Sequence, residues 1–205
     1  MLKQEFFNCL KDLAVDSSTI DIMWAEIHKH YSKSDRHYHT LGHLDNLLLE
    51  LLPCRNQFRH WGAVIFAIAY HDIIYNTLKS NNEEKSAEVA VKILTFHGCH
   101  PDQTNLCEQY ILATKSHLKS EEEEINLFTD ADLSVLGKDW EVYKIYSQQI
   151  RKEYSLYPDL IYNAGRKKVL EHFLGMPSIY KTDFFCSKYE KNARKNLQQE
   201  FDIIH

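Results

Sequence analysis

The sequence predicts an all-α fold, a single-domain bundle of eight or nine helices, and three observations favour it. Only six glycines and four prolines interrupt the 205 residues. Apolar residues recur at spacings of three and four, which is the period of an amphipathic helix and not of a strand. One segment, Gln57 to Tyr70, is apolar on nearly every face, as expected of a helix in the centre of a bundle.

The first half of the chain contains five predicted helices, each bounded by turn or capping residues. They run from Leu2 to Leu13, Thr19 to Tyr31, His39 to Leu52, Gln57 to Tyr70 and Asn82 to Phe96. The cluster Asp16-Ser17-Ser18 predicts the start of the second helix, because short side-chain oxygens accept hydrogen bonds from the free amides there. Gly98 predicts the end of the fifth helix.

The second half is predicted to be helical as well. Pro101 suits the first turn of a helix, where its missing N–H costs nothing. Further helices are predicted over Ile125 to Leu136, Trp140 to Tyr157, Leu160 to Leu174 and Tyr189 to Ile203, with breaks at Gly137, Pro158, Gly175 and Pro177. No repeat or linker divides the chain, so we expect one domain over residues 1–205.

Composition and charge exclude several classes of function. A net charge of -5 gives no electrostatic reason to bind duplex nucleic acid, which requires a basic surface. The longest apolar run, Gly62 to Tyr70, is far shorter than the ~20 residues of a membrane span, so no membrane is expected. The N-terminus lacks the long apolar core of a signal peptide, which predicts a cytoplasmic protein. The five cysteines form no CxxC pair and indicate reduced thiols.

Four polar residues stand beside apolar stretches, where an unpaired imidazole or carboxylate is costly to bury. They are His43, His71, Asp72 and Asp132. The pair His71-Asp72 ends the most apolar helix, at the edge of the core. A divalent metal would explain these side chains, because both types are ligands of Mn, Fe, Co, Ni and Zn, with Mg as an alternative.

In order and spacing, these residues resemble the H…HD…D signature of the HD-domain metal-dependent phosphohydrolase superfamily. Arg36–His43 looks like the R-x-Y-H-x-x-x-H opening of a small bacterial branch of that superfamily, and Tyr70–Tyr75 is similar to its HD-x-x-Y segment. Its later blocks resemble Asn82-Glu83-x-x-Ser86-Ala87, Asp130-Ala131-Asp132-Leu133-x-x-Leu136-Gly137, Arg151-x-Glu153-Tyr154 and Ala193-Arg194-x-Asn196-Leu197. The resemblance covers about residues 19–200 and implies an all-helical HD-type domain with a central metal site.

The resemblance also implies roles for individual residues. The metal ligands would be His43, His71, Asp72 and Asp132, binding one divalent ion, with a second ion as an alternative. Asp72 would also steer the attacking water. His117 would stabilise the developing charge or bind the second ion. Metal-binding histidines usually donate their other ring nitrogen to an acceptor, and the candidates are Asp45, Glu83 and Asp130.

Other residues near the motif are candidates for catalysis or substrate binding. Glu83 would orient water, or else belongs only to a first helical turn. Arg36 would bind phosphate with its two-pronged guanidinium, or else lies on the surface. His39 shares a predicted helix face with His43 and would contact phosphate, or else packs structurally. Arg151 lies in a segment that resembles one of the later blocks of that superfamily branch, and it would also bind a phosphate group.

The predicted activity is hydrolysis of a small phosphoester, a nucleotide first among them, by metal-activated water. One alternative is a di-iron HD-type oxygenase, with His97 or His100 joining His117 as extra ligands. Another is a non-catalytic, metal-containing nucleotide-binding protein. A zinc protease is excluded because H-E-x-x-H requires Glu where Thr40 stands. The sequence leaves a homo-oligomer open.

Overall fold

A computed structural model describes residues 1–204, which form ten α-helices, two short 3-10 helices and no strand. The α-helices are α1 (Leu2–Asp12), α2 (Ser17–Tyr31), α3 (Leu41–Leu51), α4 (Trp61–Tyr70), α5 (Asn82–Phe96), α6 (Pro101–Ala113), α7 (Glu123–Asp132), α8 (Trp140–Glu153), α9 (Asp159–Gly175) and α10 (Asp183–Ile203). The 3-10 helices are Leu52–Gln57 and Leu133–Gly137. The all-α prediction is confirmed. The expected total of eight or nine was too low, because the segments predicted one by one number ten and each corresponds to an observed α-helix.

Several helices begin one to six residues away from the predicted start, and three of these differences matter for the site or have a clear local cause. The third starts at Leu41 and not at His39, because Thr40 has an extended backbone and serves as the N-cap. The fourth starts at Trp61, after the first 3-10 helix. The last starts six residues before the expected Tyr189, where the Thr182 hydroxyl accepts a hydrogen bond from the Phe185 amide and caps α10.

By internal contacts the chain divides into two compact units, Met1–Thr129 and Asp130–His205. In the first unit α4 is the central helix, as the sequence predicts: every residue from Ala63 to Tyr70 is buried. Helices α1, α3, α5 and α6 pack around it. The Phe6 ring of α1 meets the Phe66 ring of α4 edge to face, with centroids 5.5 Å apart. The single-domain organisation stays a prediction.

In the second unit α10 packs against α9 and against the 3-10 helix Leu133–Gly137. A buried ion pair joins α9 to α10, with Arg166 Nε and Nη2 donating to the two Glu200 oxygens at 2.9 and 2.8 Å. Burial opposes ionisation of Glu200, but the hydrogen bonds and charge of Arg166 outweigh it and hold the pKa of Glu200 below its usual value. A buried pair of opposite charges, bonded through two nitrogens and two oxygens, therefore holds α9 and α10 together.

The cysteines and the helix lengths agree with the expectations from composition. All five cysteines are free thiols, and burial raises the pKa of the fully buried Cys107 thiol well above its usual value. Within residues 1–204, no helix combines the length and the apolar character that a membrane span requires.

Candidate metal centre

The most apolar helix delivers the first candidate ligand. His71 follows the last residue of α4, and its amide donates to the Ala67 carbonyl at 2.8 Å, so the helical backbone carries the side chain to the edge of the core. The imidazole is only 1% exposed. Its Nδ1 lies 3.0 Å from the Ile68 carbonyl oxygen, which can only accept, so Nδ1 carries the proton. This leaves the lone pair of Nε2 directed away from the helix, as a metal ligand requires.

The second imidazole comes from the first turn of α3. The His43 side chain is 4% exposed, and the Tyr38 ring covers it at a centroid distance of 4.9 Å. The Nε2 atoms of His43 and His71 lie 3.1 Å apart. The two imidazoles thus bring the same ring nitrogen to one place, although 28 residues separate them in the sequence.

Two carboxylates accompany the imidazoles. Asp132 is the last residue of α7, and one of its oxygens lies within 4.8 Å of a donor nitrogen on each of His43 and His71. These three residues form a largely buried group that can hold a metal ion. Asp72 is not part of that trio, but its Oδ2 lies 3.0 Å from His71 Nε2 and 3.9 Å from His43 Nε2.

The spacing of the donor atoms suits a shared ion. Because N and O ligands lie about 2.0–2.2 Å from a transition metal, two ligands of one ion are at most about 4.4 Å apart. The separations of 3.1, 3.0 and 3.9 Å among His43, His71 and Asp72 all meet this limit. The mixture of imidazole and carboxylate suits a divalent transition metal.

His39 lies beside this group but not on the helix of His43. Since α3 begins at Leu41, the expected shared helix face is wrong, and His39 belongs to the preceding loop. Its Nε2 is 3.9 Å from Asp72 Oδ2, and its ring lies over the Tyr75 ring with centroids 4.4 Å apart. The His39 and Asp72 side chains are 18% and 16% exposed, against 4% and 1% for His43 and His71. The open side of the group is therefore formed by His39 and Asp72.

Arg36 is not a surface residue: only 5% of it is exposed. Its Nη1 donates to the His39 carbonyl at 3.2 Å, and its Nη2 donates to the carbonyls of Asp72 and Ile73 at 2.7 and 3.1 Å. The guanidinium is thus turned toward the protein backbone. Its role as a phosphate ligand stays a prediction.

The remaining predicted site residues lie on other elements. Glu83 is in the first turn of α5, where a carboxylate suits the helix dipole. His117 follows α6 with a left-handed backbone, φ 50°. Arg151 donates to Asp159 and to the carbonyls of Tyr154 and Tyr157 at the α8–α9 connection. Their catalytic and substrate-binding roles stay predictions.

The extra histidines of the di-iron alternative do not form a second group. His100 caps α6, where its Nδ1 accepts a hydrogen bond from the Asp102 amide at 3.3 Å. Among residues 1–204, the potential ligands that lie close enough to share an ion are His43, His71 and Asp132, with Asp72 beside them. The arrangement of the described side chains therefore offers one metal centre.

The acceptor found for the His71 ring is none of the three carboxylates expected. Asp45 accepts hydrogen bonds from the Leu2 amide at 2.7 Å and pairs with the N-terminal ammonium. Asp130 is fully buried and accepts from the amides of Lys181 and Thr182. The observed partner of the His71 ring is a main-chain carbonyl, which any residue type supplies, so the sequence carries no signal for it.

Aromatic residues near the site were missed by sequence reasoning. Tyr31, at the end of α2, accepts a hydrogen bond from the Asp72 amide at 3.2 Å. The Phe128 ring meets the His71 imidazole edge to face, with centroids 6.3 Å apart. Both positions look like ordinary core aromatics in the sequence, and only the fold shows that they support the site.

Comparisons of the chain with protein-family models, with curated proteins and with solved structures found no match. The site is therefore described from its own residues: two buried imidazoles with a carboxylate oxygen in reach of both, in an all-helical protein.

Proposed function

We propose that this chain is an HD-type metal-dependent phosphohydrolase that acts on a small phosphoester, with a nucleotide as the first candidate. The observation that carries the proposal is the meeting of His43, His71 and Asp132, which have donor atoms within 4.8 Å of one another. Their order in the chain, with Asp72 directly after His71, is the H…HD…D order of that superfamily.

The chain's own residues would each contribute to hydrolysis. His43, His71 and Asp132 would hold the divalent ion, with Asp72 beside them. When bound, such an ion supplies a Lewis acid that polarises a phosphoryl oxygen and makes water more acidic. The Asp72 side chain is 16% exposed on the open side, so its carboxylate can accept a hydrogen bond from the attacking water and direct that water toward phosphorus.

The substrate would approach from the side that His39 and Asp72 form, because the other imidazoles are almost completely buried. His39 Nε2, 3.9 Å from Asp72 Oδ2, is placed to donate a hydrogen bond to a phosphoryl oxygen and so stabilise charge that develops there. The Tyr75 ring beneath it restricts the orientation of the imidazole.

The test begins with elemental analysis of protein purified without chelator, followed by a phosphatase screen with and without the metal found. Asp72→Ala should lose hydrolysis and bind the ion more weakly. The matched control is Asp45→Ala, an aspartate that binds the N-terminal backbone and should leave both properties intact.

Two results would contradict the proposal. A wild-type protein that holds no divalent metal, or an Asp72→Ala variant that hydrolyses as fast as the wild type, would refute the hydrolase. Metal-loaded protein that binds nucleotides tightly but never turns over any phosphoester in a broad panel would favour the non-catalytic alternative.

A further inference from the structure

Three of the four candidate ligands come from two separate backbone segments. The segment 36–43 carries the ligand His43 and also His39, and the segment 71–75 carries the ligands His71 and Asp72. The spacing of ligands depends on how these segments are held relative to each other, because a shift of 1 Å takes a donor atom out of bonding distance of an ion.

One side chain is hydrogen-bonded to both segments. The Arg36 guanidinium donates to the His39 carbonyl within its own segment and to the Asp72 and Ile73 carbonyls of the other, at 2.7 to 3.2 Å. Its charge is also met by two aromatic faces, since the guanidinium carbon lies 4.6 Å from the Tyr31 ring centre and 5.3 Å from that of Tyr75.

The peptide groups of Asp72 are held from both sides. The Asp72 carbonyl accepts from Arg36, and its amide donates to the Tyr31 hydroxyl at 3.2 Å. Arg36 and Tyr31 together therefore fix the backbone from which the Asp72 carboxylate projects. Tyr31 is 1% exposed, so both holding groups belong to the core.

We propose that Arg36 is a positioning residue that fixes the distance between the two ligand-bearing segments and thereby the affinity for the ion. It acts through the backbone and not by touching substrate. The inference rests on the proposed function for its metal-binding readout, but its effect on the backbone can be measured without any metal.

The fork shape of the guanidinium is what this role requires. Two nitrogens of one rigid plane bond carbonyls on two segments, and a single ammonium on a flexible stem cannot reproduce that geometry. Arg36→Lys therefore keeps the charge and removes the fork. Arg194 provides a matched control, because its Nη1 donates to the Leu174 carbonyl and its Nη2 to those of Met176 and Pro177, all within the second unit.

The experiment compares wild type, Arg36→Lys and Arg194→Lys in two measurements. Titration with Co²⁺ should show binding weakened by on the order of 10-fold in Arg36→Lys and unchanged in Arg194→Lys, as is usual for residues that support metal ligands. Hydrogen exchange of the metal-free proteins should show the segment 71–75 exchanging faster in Arg36→Lys, by more than any general loss of stability.

The outcomes separate the two proposals. Wild-type affinity for Co²⁺ in Arg36→Lys, or an equal loss in Arg194→Lys, overturns the positioning role. If the wild type binds no Co²⁺, the proposed function fails, and unchanged exchange of segment 71–75 in Arg36→Lys would then overturn the positioning role as well.

A milder variant covers the case in which Arg36→Lys does not fold. Tyr31→Phe removes only the hydroxyl that accepts from the Asp72 amide and keeps the aromatic face over Arg36. It should weaken Co²⁺ binding by about threefold, as expected for one neutral hydrogen bond. Wild-type Co²⁺ affinity together with wild-type exchange at Asp72 would overturn the role.

Discussion

Replacing Arg166 by Met removes one partner of the buried ion pair in the second unit. Arg166 and Glu200 are 8% and 6% exposed, so the substitution leaves a carboxylate in the core without its counter-charge. Glu200 keeps two of its four hydrogen-bond donors, the Ser147 hydroxyl at 2.7 Å and the Tyr143 hydroxyl. Breaking a buried pair in this way costs about 3–5 kcal/mol, and the two hydroxyls favour the lower end.

The cost should depend on pH with a definite sign. Because the folded-state pKa of Glu200 lies below its ordinary value of 4.5, its ionisation stabilises the fold. That stability is complete above the unfolded pKa and is lost as the pH falls through the lower folded pKa. The difference in unfolding free energy between wild type and Arg166→Met should therefore be largest near neutral pH and shrink in acid.

Urea unfolding followed by circular dichroism at pH 7 and at pH 4 measures both effects. The control is Arg166→Met combined with Glu200→Gln, which removes the stranded charge and should recover part of the loss. If Arg166→Met lowers the unfolding free energy by less than about 1 kcal/mol at pH 7, or by more in acid than at pH 7, the conclusion that Arg166 compensates for the burial of the Glu200 charge is refuted.

Two further predictions concern packing and metal binding. Gly137→Ala should lower the unfolding free energy by about 1–3 kcal/mol in urea melts, because the added carbon would lie 2.4 Å from Tyr189 Cβ and 2.8 Å from the Tyr189 carbonyl oxygen. The control is Gly165→Ala, where the added carbon would meet no atom within 4 Å and the change should be neutral or stabilising. A transition metal ion at 100 times its dissociation constant should raise the unfolding free energy by about 2.7 kcal/mol. In thermal melts, His43→Ala or excess chelator should abolish this gain. An equal gain in His43→Ala would mean that the ion binds at another site.

The part of the fold that the sequence predicts best is α4 and its polar end. In a chain whose other segments have helical periodicity, an uninterrupted apolar segment favours a central helix, and a His-Asp pair directly after it is expected where the core ends. The starts of α3 and α10 were misplaced because they depend on single N-cap residues, Thr40 and Thr182, whose capping geometry depends on the local backbone. Boundaries of this kind are decided by one or two hydrogen bonds, which periodicity does not report.

The residues that hold the ligands of the candidate site in place were harder to predict than the ligands themselves, because their hydrogen-bond acceptors are main-chain atoms. His71 donates to the Ile68 carbonyl, and Arg36 donates to three carbonyls, so the acceptors are main-chain atoms that every residue possesses. A sequence motif specifies side chains only and gives no information about main-chain acceptors. The sequence does specify the donor, Arg36. Because Arg36 is only 5% exposed, its guanidinium must have hydrogen-bond acceptors, or its burial would destabilise the fold. The supporting residues of a site like this one are therefore best sought among buried cations whose partners are carbonyls, because such a cation holds backbone in place.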